Sequence, residues 1–269
     1  MTPTEPVIRS RLPAVAGLFY PDDPYELRAV VRSYLDAAPA PAADRPKALI
    51  VPHAGYVYSG PVAASAYRTL VGRSGAIERV VLAGPSHRVP VAGIALPEVA
   101  AFDTPLGRIP IDTATVQRLL ELPDVYASNL PHRMEHSLEV QLPFLQMTLE
   151  DFSLVPLAVG DAAPGVVASV LDACWGGPET LVVISTDLSH YHDYDSARRV
   201  DAETARAIVG QADDLHDEQA CGCRLLNGLM RLARRRQLRV VALDLRNSGD
   251  TSGDTARVVG YGAFALYGD

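Results

Sequence analysis

Lys47-Ala-Leu-Ile-Val-Pro52, followed at once by His53, is the stretch whose reading decides the fold. Its apolar residues run without a polar alternate and stop at a proline, the pattern of a strand buried on both faces. Similar runs recur at Arg79 to Gly84, Ser153 to Gly160, Thr180 to Thr186, Arg239 to Leu245 and Val258 to Leu266. Between most of them lie stretches with helical spacing: Pro61 to Val71, Asp112 to Leu122, Glu135 to Leu149, Pro164 to Cys174, Ala202 to Gln211 and Gly222 to Arg236. Strands without alternation, separated by helices, predict an α/β architecture with a largely parallel central sheet sandwiched by helices. Ahead of the first strand, Asp22 and Asp23 before Pro24 read as the start of a helix to about Asp36, with Leu27, Val30, Val31 and Leu35 on one stripe. The Ala/Pro segment from Ala37 to Pro46 ends it. Ser86 to Pro110 reads as a small antiparallel excursion beside the sheet, and Asn247 to Asp254 as a loop. No repeat or long linker divides the chain, so a single domain over residues 1–269 is expected.

Of the 269 residues 48% are hydrophobic and 21% charged, the make-up of a globular protein with a substantial core. The net charge of −8 and scattered cations argue against nucleic acid as a partner. Arg234, Arg235 and Arg236 form the one basic run, and the macrodipole explains it at a helix end. The N-terminus, Met1 to Pro6, has no basic segment leading into an apolar one, and no apolar run reaches the roughly 18 residues needed to span a bilayer. A cytoplasmic protein with no membrane partner is expected. Cys174, Cys221 and Cys223 are odd in number, and the last two are too close for an easy bridge, so reduced thiols are expected.

Ligands of open α/β sheets bind beyond the carboxyl ends of the parallel strands. His53 follows the first strand directly, His87 follows the second in Gly84-Pro-Ser-His87, and Asp187 and His190 follow the fourth in Ser185-Thr-Asp-Leu-Ser-His190. Three strands thus bring imidazole or carboxylate to one sheet edge, and neutral imidazole is the common ligand for zinc, copper, iron and nickel. Taken singly, each of these histidines reads as a loop residue with a hydrogen bond; their convergence points to a metal site. His132, His192 and His216 read as surface residues. His136 opens a helix in Glu135-His-Ser-Leu-Glu139, where the dipole disfavours it unless it points into the site. Glu139, one turn on, reads as a solvated residue or as an orienter of that ring. Cys221-Gly-Cys223 precedes a helix, where a thiol has a depressed pKa and gains as a ligand; the plainer reading is small residues packed under a loop. Zinc ribbons, P-loops and dinucleotide fingerprints are absent. A serine hydrolase built on Ser86, Ser185 or Ser189 would leave the other histidines unexplained.

At these residues the chain resembles the Memo family, called AmmeMemoRadiSam system protein B in bacteria. The resemblance runs nearly end to end, through Ala16-Gly-Leu-Phe-Tyr-Pro21, Pro52-His-Ala-Gly-Tyr-Val-Tyr-Ser-Gly60, Gly84-Pro-Ser-His87, Glu135-His-Ser-Leu-Glu139, Ser185-Thr-Asp-Leu-Ser-His190, Cys221-Gly222 and Val259-Gly-Tyr-Gly262. It implies a class III extradiol dioxygenase (LigB)-like fold and a mononuclear site for one transition-metal ion, iron or copper ahead of zinc. It implies His53, His87 and Cys221 as ligands, with Asp187 and His190 as acidic and histidine neighbours. Vertebrate members are described as redox proteins and as phosphopeptide-binding adaptors, and the bacterial genes are named for radical-SAM and Amme-family partners.

Extradiol enzymes close their triad with a carboxylate, whereas Cys221 would supply a thiolate, which suits copper or thiol-tuned iron better than ring cleavage. The expectation is a metal-dependent redox or dioxygenase-like enzyme in which His136, Asp187 and His190 orient ligands or carry protons. The alternative is a non-catalytic module that binds a peptide or small molecule in the same pocket.

Overall fold

The computed structural model describes residues 10–40, 44–72 and 77–268; the reading of Met1 to Pro6 and part of the Ala37 to Pro46 segment fall outside the described residues. Every residue of β1 (Ala48–Val51) is buried, as its unalternating sequence requires. The strands after it are β2 (Arg79–Pro85), β3 (Ile94–Leu96), β4 (Ala101–Thr104), β5 (Gly107–Pro110), β6 (Val125–Ala127), β7 (Ser153–Val159), β8 (Thr180–Ser185), β9 (His190–His192), β10 (Arg239–Asn247) and β11 (Val258–Tyr267). The helices are α1 (Pro24–Ala37), α2 (Tyr56–Tyr67), α3 (Thr113–Leu119), α4 (Leu130–Arg133), α5 (Leu142–Thr148), α6 (Pro164–Ala173), α7 (Tyr194–Val209), α8 (Cys223–Arg235) and α9 (Ser248–Ser252).

The main sheet runs β10-β11-β1-β8-β2-β7-β3-β6, with β9 paired to β11. Its centre, β1, β8, β2 and β7, is parallel throughout. Both flanks turn antiparallel, at β1 with β11 and β10, and at β7 with β3. The excursion after β2 divides: β3 extends the main sheet, and only β4 and β5 form a separate antiparallel pair. Helices flank the sheet, α6 packing on α8, and α2 lying against β1, β10 and β11 with α1 and α5 beside it. One cluster of buried apolar side chains extends from Val15 to Tyr267. The result is the α/β fold that the sequence predicts, with a central sheet, parallel in its middle strands, flanked by helices.

Local signals held where a cap or stripe was present. In α1 the Asp23 carboxylate accepts from the backbone N–H groups of Tyr25 and Glu26, and Leu27, Val31 and Leu35 are buried. Elsewhere the boundaries moved. α2 starts at Tyr56 and carries Pro61 inside it; the carbonyl that Pro61 leaves unpaired is that of Val57, a 61% exposed residue where water can satisfy it. α7 starts eight residues before Ala202, at the Asp193 cap, whose side chain accepts from Ser196 N. The single helix expected over Glu135 to Leu149 is a turn, a short 3-10 segment at Glu139–Gln141, and then α5, restarted with Pro143 in its first turn. The loop at Asn247 contains α9, closed by a capping box between Asn247 and Asp250. Among the described residues no helix is long and apolar enough to cross a membrane.

Candidate metal centre

The parallel strands β1, β2 and β8 end at one edge, and the residues that follow them meet there. His53, His87, His136, Asp187, His190 and Cys221 line a single cavity of about 470 Å³, together with Arg88 and Tyr191. All six residues singled out from the sequence are therefore neighbours. Within it, donor atoms of His53, His87 and His136 lie within 4.8 Å of one another, a three-histidine cluster able to hold a metal ion. The His53 ring stands edge-on to both others, with centroids 5.1 Å from His87 and 5.4 Å from His136, while His87 and His136 stack at 4.9 Å.

Hydrogen bonds settle how the first two rings face. Ser185 Oγ donates to the Ser137 carbonyl at 2.6 Å, so toward His53 Nδ1, 2.9 Å away, it is an acceptor. Gln141 Nε2 donates to the same hydroxyl and to the Pro52 carbonyl, fixing the Ser185 oxygen in place. His87 Nδ1 donates to Glu135 Oε1 at 2.9 Å. In both rings a proton thus sits on Nδ1 and Nε2 is the atom left for a ligand, that of His53 meeting Cys221 Sγ at 3.4 Å, as in the carboxylate–histidine pairs of metal sites. His136 Nδ1 lies 3.3 Å from Glu135 Oε1 but outside hydrogen-bonding geometry, which leaves it buried without a partner among the described residues. Two oriented lone pairs beside an orphaned buried nitrogen fit a cation with imidazole ligands.

Burial also keeps the His53 and His136 rings neutral, the form that ligates. His53 is pushed well below the usual histidine range by burial, reinforced by the nearby His87 and His136 rings. His136 falls to about 4, chiefly by burial, with Glu135 opposing and His87 adding to the fall. Glu135 is held down to about 2: burial works against its charge, but the His87 ring and the backbone N–H groups of Ser137 and His87 outweigh it. Asp187 Oδ1 accepts from His53 N at 2.7 Å, yet burial raises its carboxyl to about 7. His190 enters from β9 and is lowered by burial. Cys221 Sγ sits 3.4 Å from His53 Nε2 and accepts from Asp187 N at 3.3 Å. The depressed thiol expected at a helix start is corrected here: Cys221 precedes α8 and is pushed up to about 12, by burial first and the Asp187 charge second.

Two glycines permit the approach. A Cβ on Gly84 would lie 2.7 Å from Ser137 Oγ, and one on Gly222 would lie 2.7 Å from Thr186 Cβ. The loop carrying Glu135 and His136 can therefore close on the end of β2, and Cys221 on the end of β8.

Other expectations are corrected as well. His136 stands in a turn, not at a helix start. Glu139 is not solvated: fully buried, it accepts from Arg11, Tyr20 Oη and the backbone N–H groups of Ala14 and Val15. His132 is not a surface residue; it is buried, with Nε2 3.0 Å from the Ala95 carbonyl. His192 and His216 are exposed as expected. Sequence reasoning missed the part played by Glu135, Ser185 and Gln141, although the Glu-His pair at 135 and 136 was in view.

Comparison with known proteins shows what the chain is similar to. The family model described as Memo-like protein matches residues 11–265. A MEMO1 family protein of Thermotoga neapolitana is 36% identical over 274 residues, covering 93% of this chain and 97% of its own. One of Sulfolobus acidocaldarius is 32% identical over 276 residues, with 93% and 97% covered. Among solved structures, the uncharacterized protein JW3007 of Escherichia coli K12 superposes with a TM-score of 0.52 at 16% identity, over 81% of this chain and 98% of that one, which is a likeness of fold.

Proposed function

The chain belongs to the Memo-like family, and from that premise we propose that it is a metal-dependent redox enzyme in which His53, His87 and Cys221 hold one iron or copper ion, with zinc as the alternative. The observation that carries the reading is the orientation of two rings: Ser185 and Glu135 occupy both Nδ1 atoms, so both Nε2 lone pairs serve the same cavity. Cys221 has in its favour the 3.4 Å between its sulfur and His53 Nε2, close to the roughly 3.6 Å between nitrogen and sulfur donors on one tetrahedral ion. When bound, iron or copper would supply a Lewis-acidic, redox-active centre, and zinc a Lewis-acidic one only.

The surrounding residues have separate tasks. Ser185 and Gln141 hold the His53 ring, and Glu135 holds the His87 ring, so neither must be ordered when a ligand arrives. Asp187 spends Oδ1 on the His53 backbone and keeps Oδ2, 4.0 Å from His53 Nε2, as the atom able to take up a proton. His136 and His190 line the same cavity, where they can orient a bound molecule or carry its proton.

Oxygen uptake with a reductant, measured for protein loaded with iron or copper, tests the redox claim. Uptake should fall in both His53→Ala and His87→Ala, and uptake equal in all three proteins would refute it. Metal content of Cys221→Ser beside His136→Ala assigns the third ligand: the larger loss is expected in Cys221→Ser, and the reverse would replace the thiolate with a third imidazole. The alternative of a non-catalytic binding module draws on a second cavity of about 450 Å³ that adjoins the cluster, and it predicts ligand binding with no oxygen uptake.

A further inference from the structure

That second cavity holds a cation for which the metal site has no use. Arg257, exposed just before β11, makes no hydrogen bond or ion pair among the described residues. Its guanidinium lies instead over the Tyr191 ring, 5.1 Å from the centroid. Tyr191 has φ 64°, in the left-handed region that bulky residues rarely adopt, and yet is 64% exposed. No core packing repays that strain, which is the kind found where a side chain is held for a ligand. The β9–β11 ladder is irregular at this point, its register shifting between Val258 and Val259, and such bulges re-aim side chains beside sites.

Arg257 and Tyr191 line the cavity with the aromatic walls Phe19, Tyr58 and Tyr261, and it shares His136, Asp187, His190 and Tyr191 with the metal cavity. Its volume is that of a small-molecule site. A planar guanidinium whose plane is steadied by a ring matches a carboxylate through two parallel hydrogen bonds. Asp187 and Asp254 also line the space, and their repulsion grows with each negative charge on a ligand, so the single cation suits a monoanion better than a dianion. We propose that Arg257, steadied by Tyr191, is the specificity residue that binds the carboxylate of a small aromatic acid whose far end reaches the His53, His87 and His136 cluster. The proposal rests on the reading of that cluster as a metal site with an open face.

Calorimetric titration of the full chain, metal-free and zinc-loaded, with 4-hydroxybenzoate, 4-hydroxybenzyl alcohol and phenyl phosphate tests it. The benzoate should bind more tightly than the neutral alcohol or the phosphate. Arg257→Met should weaken the benzoate by roughly tenfold or more while leaving the alcohol and the zinc content unchanged. Arg257→Lys should restore part of the loss, and Tyr191→Leu should lose part. Failure of the wild type to prefer the benzoate, equal binding by Arg257→Met, or an equal loss in Arg88→Met, which lines the metal cavity but not this one, would overturn the proposal. A chain that takes up no zinc but still loses benzoate on Arg257→Met keeps the anion site and rejects the metal reading; a chain that binds zinc while ignoring Arg257 does the opposite.

Discussion

Replacing Glu135 by Gln should weaken metal binding without touching any proposed ligand. Glu135 Oε1 accepts from His87 Nδ1 at 2.9 Å, His136 N at 3.0 Å and Ser137 N at 2.9 Å, while Oε2 accepts from His87 N at 2.6 Å. All four partners are donors, and the carboxylate is 1% exposed. An amide has one acceptor atom, so either its NH2 faces His87 N or, turned over, it faces three donors at once. At least one buried donor is orphaned in both cases, a cost of about 1–3 kcal/mol to the metal-free fold. In the first case His87 Nδ1 keeps only a neutral amide oxygen in place of the carboxylate and in the second it loses its acceptor, and changing such an outer partner lowers metal affinity roughly 10- to 100-fold, or about 1.4–2.7 kcal/mol. Competition for zinc against a chromophoric chelator measures the affinity, and urea unfolding of the metal-free protein measures the stability. A Glu135→Gln protein that folds with a wild-type near-UV spectrum and binds zinc as tightly as wild type would refute the reasoning.

Three further outcomes are expected. Arg11→Met strands the buried Glu139 carboxylate, which Arg11 meets at 2.5 Å, and should cost about 3–5 kcal/mol in urea unfolding; a cost under about 1 kcal/mol would show that Tyr20 and the two backbone donors suffice. His132 is lowered from 6.5 to about 4, by burial above all, so the folded protein resists a proton that the unfolded chain accepts. Its stability is then full above about pH 6.5 and falls as the pH drops toward 4, by about 3 kcal/mol, and His132→Leu should lose that much less between pH 7 and pH 4. An identical pH profile in the two proteins would contradict the assignment. Gly84→Ala forces a methyl to within 2.7 Å of Ser137 Oγ and should destabilise by about 1–3 kcal/mol while loosening zinc binding; unchanged binding would mean the loop has room to shift.

The parts of this protein that were legible in the sequence are those set by local pattern. Unalternating strands predict the central sheet, and the rule that ligands gather at strand carboxyl ends brings His53, His87 and Asp187 together. What stayed hidden depends on contacts far apart in the chain. Glu139 looked like a solvated acid because its partners, Arg11 and Tyr20, lie more than a hundred residues away. Distance along the chain likewise hides Ser185 behind His53, 132 residues apart, and Glu135 behind His87, 48 residues apart. The apolar spacing from 135 to 149 predicts a helix start at His136 because it ignores the turn that the buried Glu135 imposes on its own following N–H groups. Cys221 shows the limit of a positional rule: the start of a helix favours a thiolate, but burial beside Asp187 favours the thiol.

The central claim is that His53 and His87 together bind one metal ion. Elemental analysis of the chain purified without chelator and reloaded with zinc, beside His53→Ala and His87→Ala, tests it most directly. The account predicts about one equivalent per chain in the wild type and a loss of most of it in each variant. Substoichiometric metal in the wild type, unchanged by either substitution, would contradict it.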